Sequence, residues 1–230
     1  MKVINVLGLL TLCLFLANCS PKINQLTSAE KKAGWESLFN GETLHGWHLF
    51  GNGNNYWSVE DGAITLTPGE KGGDLITDKA YENYELNLEW KISDCGNSGI
   101  IYAVKEEGFN APWHTGPEMQ VLDNKCHPDA KIPTHRAGDL YDMIACNEET
   151  VLPANQWNKV RLIINDGQVQ HWLNGKKVVE FEMYNDKWRE MVANSKFKDM
   201  EAFGTIRKGK IVLQDHHDKV WYRNIKIREL

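Results

Sequence analysis

The segment Tyr84–Ile92 constrains this chain most. Tyr84, Leu86, Leu88, Trp90 and Ile92 alternate with Glu85, Asn87, Glu89 and Lys91. Successive side chains on a strand point to opposite faces, so this period of two predicts a strand with one apolar and one wet face. The same signal recurs. Residues 56–67 carry Asp61-Gly62 between two apolar-containing runs, which predicts a tight hairpin. Residues 157–182 read as three strands broken at Asn165-Asp166-Gly167 and Asn174-Gly175, and residues 211–214 and 220–228 as two more. Only residues 186–197 have a helical composition. Many short strands joined by Gly and Asn turns predict an all-β fold, an antiparallel β-sandwich or jelly roll.

The start of the chain carries a different signal. Lys2 is followed by an almost wholly apolar run over residues 3–17. That run is too short for a comfortable membrane span and fits the core of a signal peptide. Leu16-Ala17-Asn18-Cys19 resembles a bacterial lipobox, cleaved before Cys19 and lipidated on its thiol. The expected organisation is a lipoprotein signal peptide over residues 1–18, a polar tether over 19–33 and one domain over 34–230. Such a protein is expected in the bacterial cell envelope, on a periplasmic or outer-membrane surface, touching the membrane only through its lipid. Without Lys2, 25 basic residues face 31 acidic ones, and no basic run occurs. A nucleic-acid partner is therefore not expected.

Five cysteines are present; Cys13 is expected to leave with the signal and Cys19 to take the lipid, the other reading being an ordinary secretory signal with an incidental Cys19. Cys95, Cys126 and Cys146 remain, enough for one intramolecular disulfide whose partners the spacing does not identify. Buried free thiols are the plain expectation. No CxxC pair suggests a thiolate zinc site. Of nine tryptophans, Trp35, Trp47, Trp57, Trp90 and Trp157 lie in or beside apolar patterns and are expected in the core. Trp113 lies in a Gly/Pro-rich loop beside acidic residues. Stacking on a sugar ring and simple loop packing are both open for it.

Four polar clusters stand out: Asn97-Ser98-Gly99; His114 with Glu118, Gln120 and Asp123; Gly138-Asp139-Leu140-Tyr141; and Leu213-Gln214-Asp215-His216-His217, leading to Trp221-Tyr222-Arg223. On a strand Glu118 and Gln120 share one face, their Cα atoms about 7 Å apart, with Met119 and Val121 on the other. A single β-bulge after Gln120 would bring Asp123 beside them. The spacing resembles the bulged acid row of concanavalin A-like glucanases, but with an amide in the middle and a shorter last acid. A solvated sheet edge accounts equally for polar alternation. Adjacent histidines on a strand end face opposite ways, so one of His216 and His217 at most joins a site. For Arg223 a surface ion pair is the plain reading.

Taken in order, these segments gain force. Residues 35–47 (WESLFNGETLHGW) resemble the opening motif of the 3-keto-disaccharide hydrolase domain family. Trp57-Ser58-Val59-Glu60-Asp61-Gly62, the Tyr84 strand, Asn97-Ser98-Gly99-Ile100 and Glu118-Met119-Gln120-Val121-Leu122-Asp123 follow in the family's order. Gly138-Asp139-Leu140-Tyr141, Gln156-Trp157-Asn158, Leu173-Asn174-Gly175, Ile211-Val212-Leu213-Gln214-Asp215-His216 and Arg223-Asn224-Ile225 continue it, so the resemblance spans about residues 34–230.

The resemblance implies a concanavalin A-like sandwich acting on glycosides already oxidised at C3 by a sugar 3-oxidoreductase. A C3 ketone acidifies the C2 proton, so a base can remove it, the C1 substituent can leave by elimination, and water can add back. This chemistry needs a base, a leaving-group acid and an electrophile at the C3 oxygen. A divalent metal is one candidate electrophile, with Glu118 and His216 as candidate ligands. Glu118 is assigned as base or metal ligand, Asp123 as its support and His216 to proton transfer, since imidazole titrates at about 6.5. Gln120 and Arg223 are assigned to substrate oxygens, with Trp113, His114, Asn97, Asp139 and Tyr141 as further contacts. A non-catalytic carbohydrate-binding module of the same fold and a conventional glucanase are the competing readings.

Overall fold

The computed structural model describes residues 22–69 and 72–230. The expected signal peptide and the lipid site at Cys19 lie outside the described residues. Thirteen strands follow in chain order. They are β1 (Glu36–Ser37), β2 (Trp47–Leu49), β3 (Trp57–Glu60), β4 (Ala63–Leu66), β5 (Leu75–Thr77), β6 (Tyr84–Ile92) and β7 (Asn97–Val104), then β8 (Glu118–Leu122), β9 (Asn158–Asn165), β10 (Gln168–Leu173), β11 (Lys176–Glu182), β12 (Lys210–Leu213) and β13 (Val220–Glu229). They form an eight-stranded sheet in the order β11-β10-β9-β6-β13-β4-β3, with β1 added beside β13, and a five-stranded sheet in the order β2-β5-β12-β7-β8. The strand pairs are antiparallel, and the fold is the expected β-sandwich.

The hairpins form where their turn residues place them. Asp61 and Gly62 (φ 50° and 72°), Asp166 and Gly167 (47° and 85°), and Asn174 and Gly175 (51° and 85°) are all left-handed. Two-residue turns of this kind match the right-handed twist of the strands they join. The apolar face of β6 enters the core between the sheets, where Leu86, Leu88, Trp90 and Ile92 pack in one cluster with Ile100, Tyr102, Met119 and Val121. Burying each such aliphatic side chain contributes about 1.5–3 kcal/mol. The opposite face of β6 is polar but not bare. Glu85 pairs with Arg161 and Arg228, and Glu89 with Arg223.

Three expectations need correction. Residues 22–33, expected as a free tether, dock on β13. Asn24 and Asn224 exchange backbone-to-side-chain hydrogen bonds at 2.6 and 2.8 Å, and Glu30 pairs with Lys226. There α1 (Ser28–Lys32) starts from a Thr27–Glu30 capping box. Cys95 and Cys126 form a disulfide rather than staying free, leaving Cys146 as the free thiol among the described residues. The helix α2 (Asp186–Ala193) stops four residues short of the expected 197. Ser195 explains the stop, because its Oγ donates to the Val192 carbonyl and accepts from the Phe197 amide, offering the backbone a turn instead.

Trp47, Trp57 and Trp90 are buried as expected. Trp35 and Trp157 instead sit half-buried under cations, with Arg228 over the first and Arg223 over the second. Among the described residues no helix is long and apolar enough to cross a membrane.

Candidate active site

β8 places Glu118 and Gln120 on the outer face of the five-stranded sheet, while Met119 and Val121 enter the core. Every residue of β8 is buried. Glu118 is 6% exposed and Gln120 1%, so the row is not a solvated edge. Two features cover it. β7 lies on one side, with Gly99 opposite Gln120 and Ile101 opposite Glu118. On the other side, the loop 138–141 continues the ladder. The Tyr141 amide donates to the Glu118 carbonyl at 3.1 Å, and the Gly138 amide to that of Gln120 at 2.8 Å. That loop is itself pinned to the core by His171, which takes Gly138 and Tyr102 as hydrogen-bond partners. Burial pushes the His171 imidazole down to about 4, so it sits there neutral.

The Glu118 carboxyl lies directly over Gly99. A Cβ at that position would stand 2.2 Å from Glu118 Oε1, so only glycine leaves this space. With its amide nitrogen toward the carboxyl, Gln120 donates to Glu118 Oε1 at 2.6 Å and to the Ser98 carbonyl at 3.2 Å. Burial pushes the Glu118 carboxyl up to about 8. Lys196 pulls the other way, and Asp74 and Asp129 add to the rise.

These groups open into a pocket of about 320 Å³. The structure brings Asn97, Trp113, Glu118, Gln120, Tyr141 and His216 to its walls. His216 follows β12, and its ring meets His127 edge-on at 6.4 Å. His217 is left-handed (φ 65°) and its side chain points to solvent. One histidine of the pair reaches the site, as the alternation argument allows.

Four expected residues lie elsewhere. No register shift interrupts β8 against β7, so the bulge that would carry Asp123 into the row does not form. Asp123 instead caps the turn after β8, accepting the Cys95 amide at 2.9 Å and the Lys125 amide at 3.1 Å. Asp139 caps its own loop through the Arg136 and Cys146 amides. Arg223 is in the other sheet, held by Glu89 at 2.8 Å and stacked 3.8 Å over Trp157. The His114 ring meets the Trp113 ring edge-on at 4.3 Å and is not part of the wall.

Lys196, Phe197, Met200 and Gln214 complete the wall and were not anticipated. Gln214 stood in the fourth polar cluster, and its Oε1 is buried without a hydrogen-bond partner. The other three come from the turns after α2, where the sequence carries no signal beyond a helix ending early.

A larger groove of about 460 Å³ lies on the outer face of the eight-stranded sheet. Its Arg161 is committed to Glu85 and its Glu30 to Lys226. The smaller pocket, with its strongly shifted carboxyl, is the better candidate for chemistry.

The expected metal was tested against the donors present. Among the described residues, one group of His, Cys, Asp and Glu atoms gathers closely enough to hold an ion: Cys95, Asp123 and Cys126. Its two sulfurs are joined in the disulfide, and Glu118 and His216 belong to no such group.

Comparisons with known proteins identify the family. A curated relative from Bacteroides thetaiotaomicron, named 3-keto-disaccharide hydrolase, is 35% identical over 228 residues, 86% of this chain and 79% of the relative. The crystal structure of a candidate glycosyl hydrolase from Parabacteroides distasonis superposes with a TM-score of 0.84 at 35% identity, covering 91% of this chain and 100% of that one. A Bacillus subtilis protein with a galectin-like fold, 15% identical with a TM-score of 0.54, covers 80% of this chain and 89% of its own and shares the fold alone. Residues 34–228 match the 3-keto-alpha-glucoside-1,2-lyase-like domain, and the chain belongs to that family.

Proposed function

We propose that the pocket hydrolyses glycosides carrying a ketone at C3, 3-keto-disaccharides among them. Glycoside hydrolysis is the activity that the family and its relatives support. The keto substrate and the elimination chemistry are the proposal.

In this reading the Glu118 carboxylate removes the C2 proton. The C–H pair becomes the C2=C3 bond and the carbonyl π pair moves onto the C3 oxygen, giving an enediolate. Its collapse restores the ketone, forms C1=C2 and expels the C1 oxygen, which takes a proton; in this reading His216, on the same wall, gives it. Water then adds across C1=C2, oxygen to C1 and proton to C2. The sum is hydrolysis, with no bond formed to the protein.

The carrying observation is the single carboxylate. Among the described residues, Glu118 is the one carboxyl lining the pocket: Gln120 stands where a glucanase row has its middle acid, and Asp123, where the row has its last, caps the turn after β8. Direct displacement at C1 uses two carboxyls, one as acid and one as base or nucleophile. Elimination next to a ketone needs one strong base. A carboxyl pushed up to about 8 is a stronger base, once ionised, than an ordinary one. A flat aromatic platform would mark a sugar-binding face without chemistry; here a buried carboxyl and a histidine line one pocket.

A matched pair of p-nitrophenyl glucosides, one native and one oxidised at C3, tests the reading with and without chelator. Release from the 3-keto compound alone supports it. Release from the native glucoside revives a conventional glucanase, and loss on chelation places a metal in the site. The substrate requires a sugar 3-oxidoreductase upstream. Lipidation at Cys19 would hold the site at the cell envelope.

A further inference from the structure

The elimination chemistry above leaves one requirement unassigned: something must hold the C3 oxygen while it becomes negative. Arg223, the cation expected to meet substrate oxygens, is bound to Glu89 in the other sheet. We propose that Lys196 is a catalytic residue of this pocket, its ammonium binding the ketone oxygen and stabilising the enediolate. The inference rests on the keto-glycoside reading and adds a residue to it.

The geometry carries it. Lys196 is the one lysine or arginine among the described residues that line the pocket, and it shares that wall with Glu118. Its Nζ is uncommitted. No carboxylate lies within 4.0 Å of it among the described residues, in contrast to the paired cations of the eight-stranded sheet. It rests instead over the Tyr141 ring at 3.9 Å and near the Phe197 ring at 5.2 Å. An ammonium over aromatic faces keeps its hydrogens free for an oxygen on the pocket side.

Its backbone is fixed although its side chain is free. The Lys196 amide donates to Asp142 Oδ2 at 2.8 Å, and Asp142 also meets His135 at 3.2 Å. The His135 ring packs 4.2 Å from that of Tyr141. Loop 138–144 and the turn after α2 are thus tied together, with Tyr141 between them as the platform for the ammonium. Partial loss of water lowers the Lys196 amine, while Glu118, Asp142 and Asp129 raise it. Lys196 is exposed as a whole while lining the pocket wall. In the step itself the amine stays protonated. Glu118 takes the C2 proton, the electron pair reaches the C3 oxygen, and the ammonium binds the resulting oxyanion by charge-assisted hydrogen bonds.

The test isolates proton removal from bond cleavage. A non-cleavable 3-keto C-glycoside is incubated in D₂O with the full-length protein, and deuterium at C2 is followed by NMR. Hydrolysis of the 3-keto p-nitrophenyl glucoside is measured alongside. Lys196→Met should lower both C2 exchange and kcat/KM by about 10²–10³-fold, the usual loss of one oxyanion donor, and Lys196→Arg should retain part of both. The thermal midpoint of each variant checks the fold. Exchange at the wild-type rate in Lys196→Met, or a loss confined to KM, overturns the role of Lys196 while wild-type turnover upholds the keto reading. A wild-type protein that neither exchanges nor cleaves any 3-keto compound overturns the reading and the inference together. A borohydride-trapped adduct on Lys196 would replace the ammonium with a covalent iminium and overturn the proposal as stated.

Discussion

Gly99 lies beneath Glu118 so closely that a Cβ there would stand 2.2 Å from the Glu118 carboxyl oxygen. The glycine and the acid belong to adjacent strands and were separate motifs in the sequence. Together they make one feature: a missing side chain that lets a carboxyl lie on the sheet. Gly99→Ala should push the flexible end of Glu118 aside and leave the backbone in place. We expect kcat/KM to fall by about 10²-fold, as for a reacting group moved by an ångström, with a nearly unchanged far-ultraviolet circular dichroism spectrum. Wild-type turnover in this variant would mean the position of Glu118 is irrelevant.

The pH–rate profile separates base from acid. Burial pushes Glu118 up to about 8, and a base acts only when ionised. If Glu118 removes the C2 proton, kcat/KM should rise with pH on an apparent pKa of about 8. A limb that falls through the same value would make Glu118 the leaving-group acid.

The strands were legible because their signals are local. Alternation in Tyr84–Ile92 and the Asp61-Gly62, Asp166-Gly167 and Asn174-Gly175 turns each act within a few residues. The facing of Glu118 and Gln120 followed from the same period. The bulge at Asp123 was not legible, since register depends on the partner strand, and β7 pairs with β8 without a shift. Arg223 could not be placed from spacing, because nothing local says which sheet a strand joins. Lys196 was invisible for a related reason. It reaches the pocket only because Ser195 ends α2 early and Asp142, 54 residues away in sequence, catches its amide. The disulfide partners likewise depend on the turn that Asp123 caps.

Stability should carry the same carboxyl with its own sign. Unfolded, Glu118 titrates near its ordinary 4.5; folded, at about 8. Between these values the folded state holds the extra proton, so its contribution is full below 4.5 and is lost as pH rises through 8. Glu118→Gln removes the titration. Urea midpoints should therefore place the variant above the wild type at pH 9, by roughly 2–4 kcal/mol, with the gap closing by pH 5. An equal difference at both pH values would show that Glu118 does not carry it.

His171 should give the opposite limb. Its imidazole is pushed down from 6.5 to about 4 by burial, with Gly138 and Tyr102 as partners. Its stabilising contribution is complete above 6.5 and is lost as pH falls through 4. His171→Phe should be less stable than wild type at pH 7, where it leaves the Tyr102 hydroxyl unpaired, yet lose less stability on going to pH 5. Denaturation at the two pH values measures both. A parallel acid slope in the variant would move the effect to other groups.

Trp113 tests what the pocket rim does. It is 39% exposed, braced edge-on by His114, and forms one wall of the space in front of Glu118. A ring stacked on a sugar face binds the ground state and the transition state equally, so its loss should appear in KM. Trp113→Ala is expected to raise KM on the 3-keto glucoside about tenfold with kcat nearly unchanged, a loss of about 1.4 kcal/mol in binding. Trp113→Phe, which keeps an apolar face, should recover most of it. A fall in kcat at constant KM would instead mean that the ring orders Glu118 or the C3 oxygen in the transition state, and Trp113 would then join Lys196 as part of the reacting site.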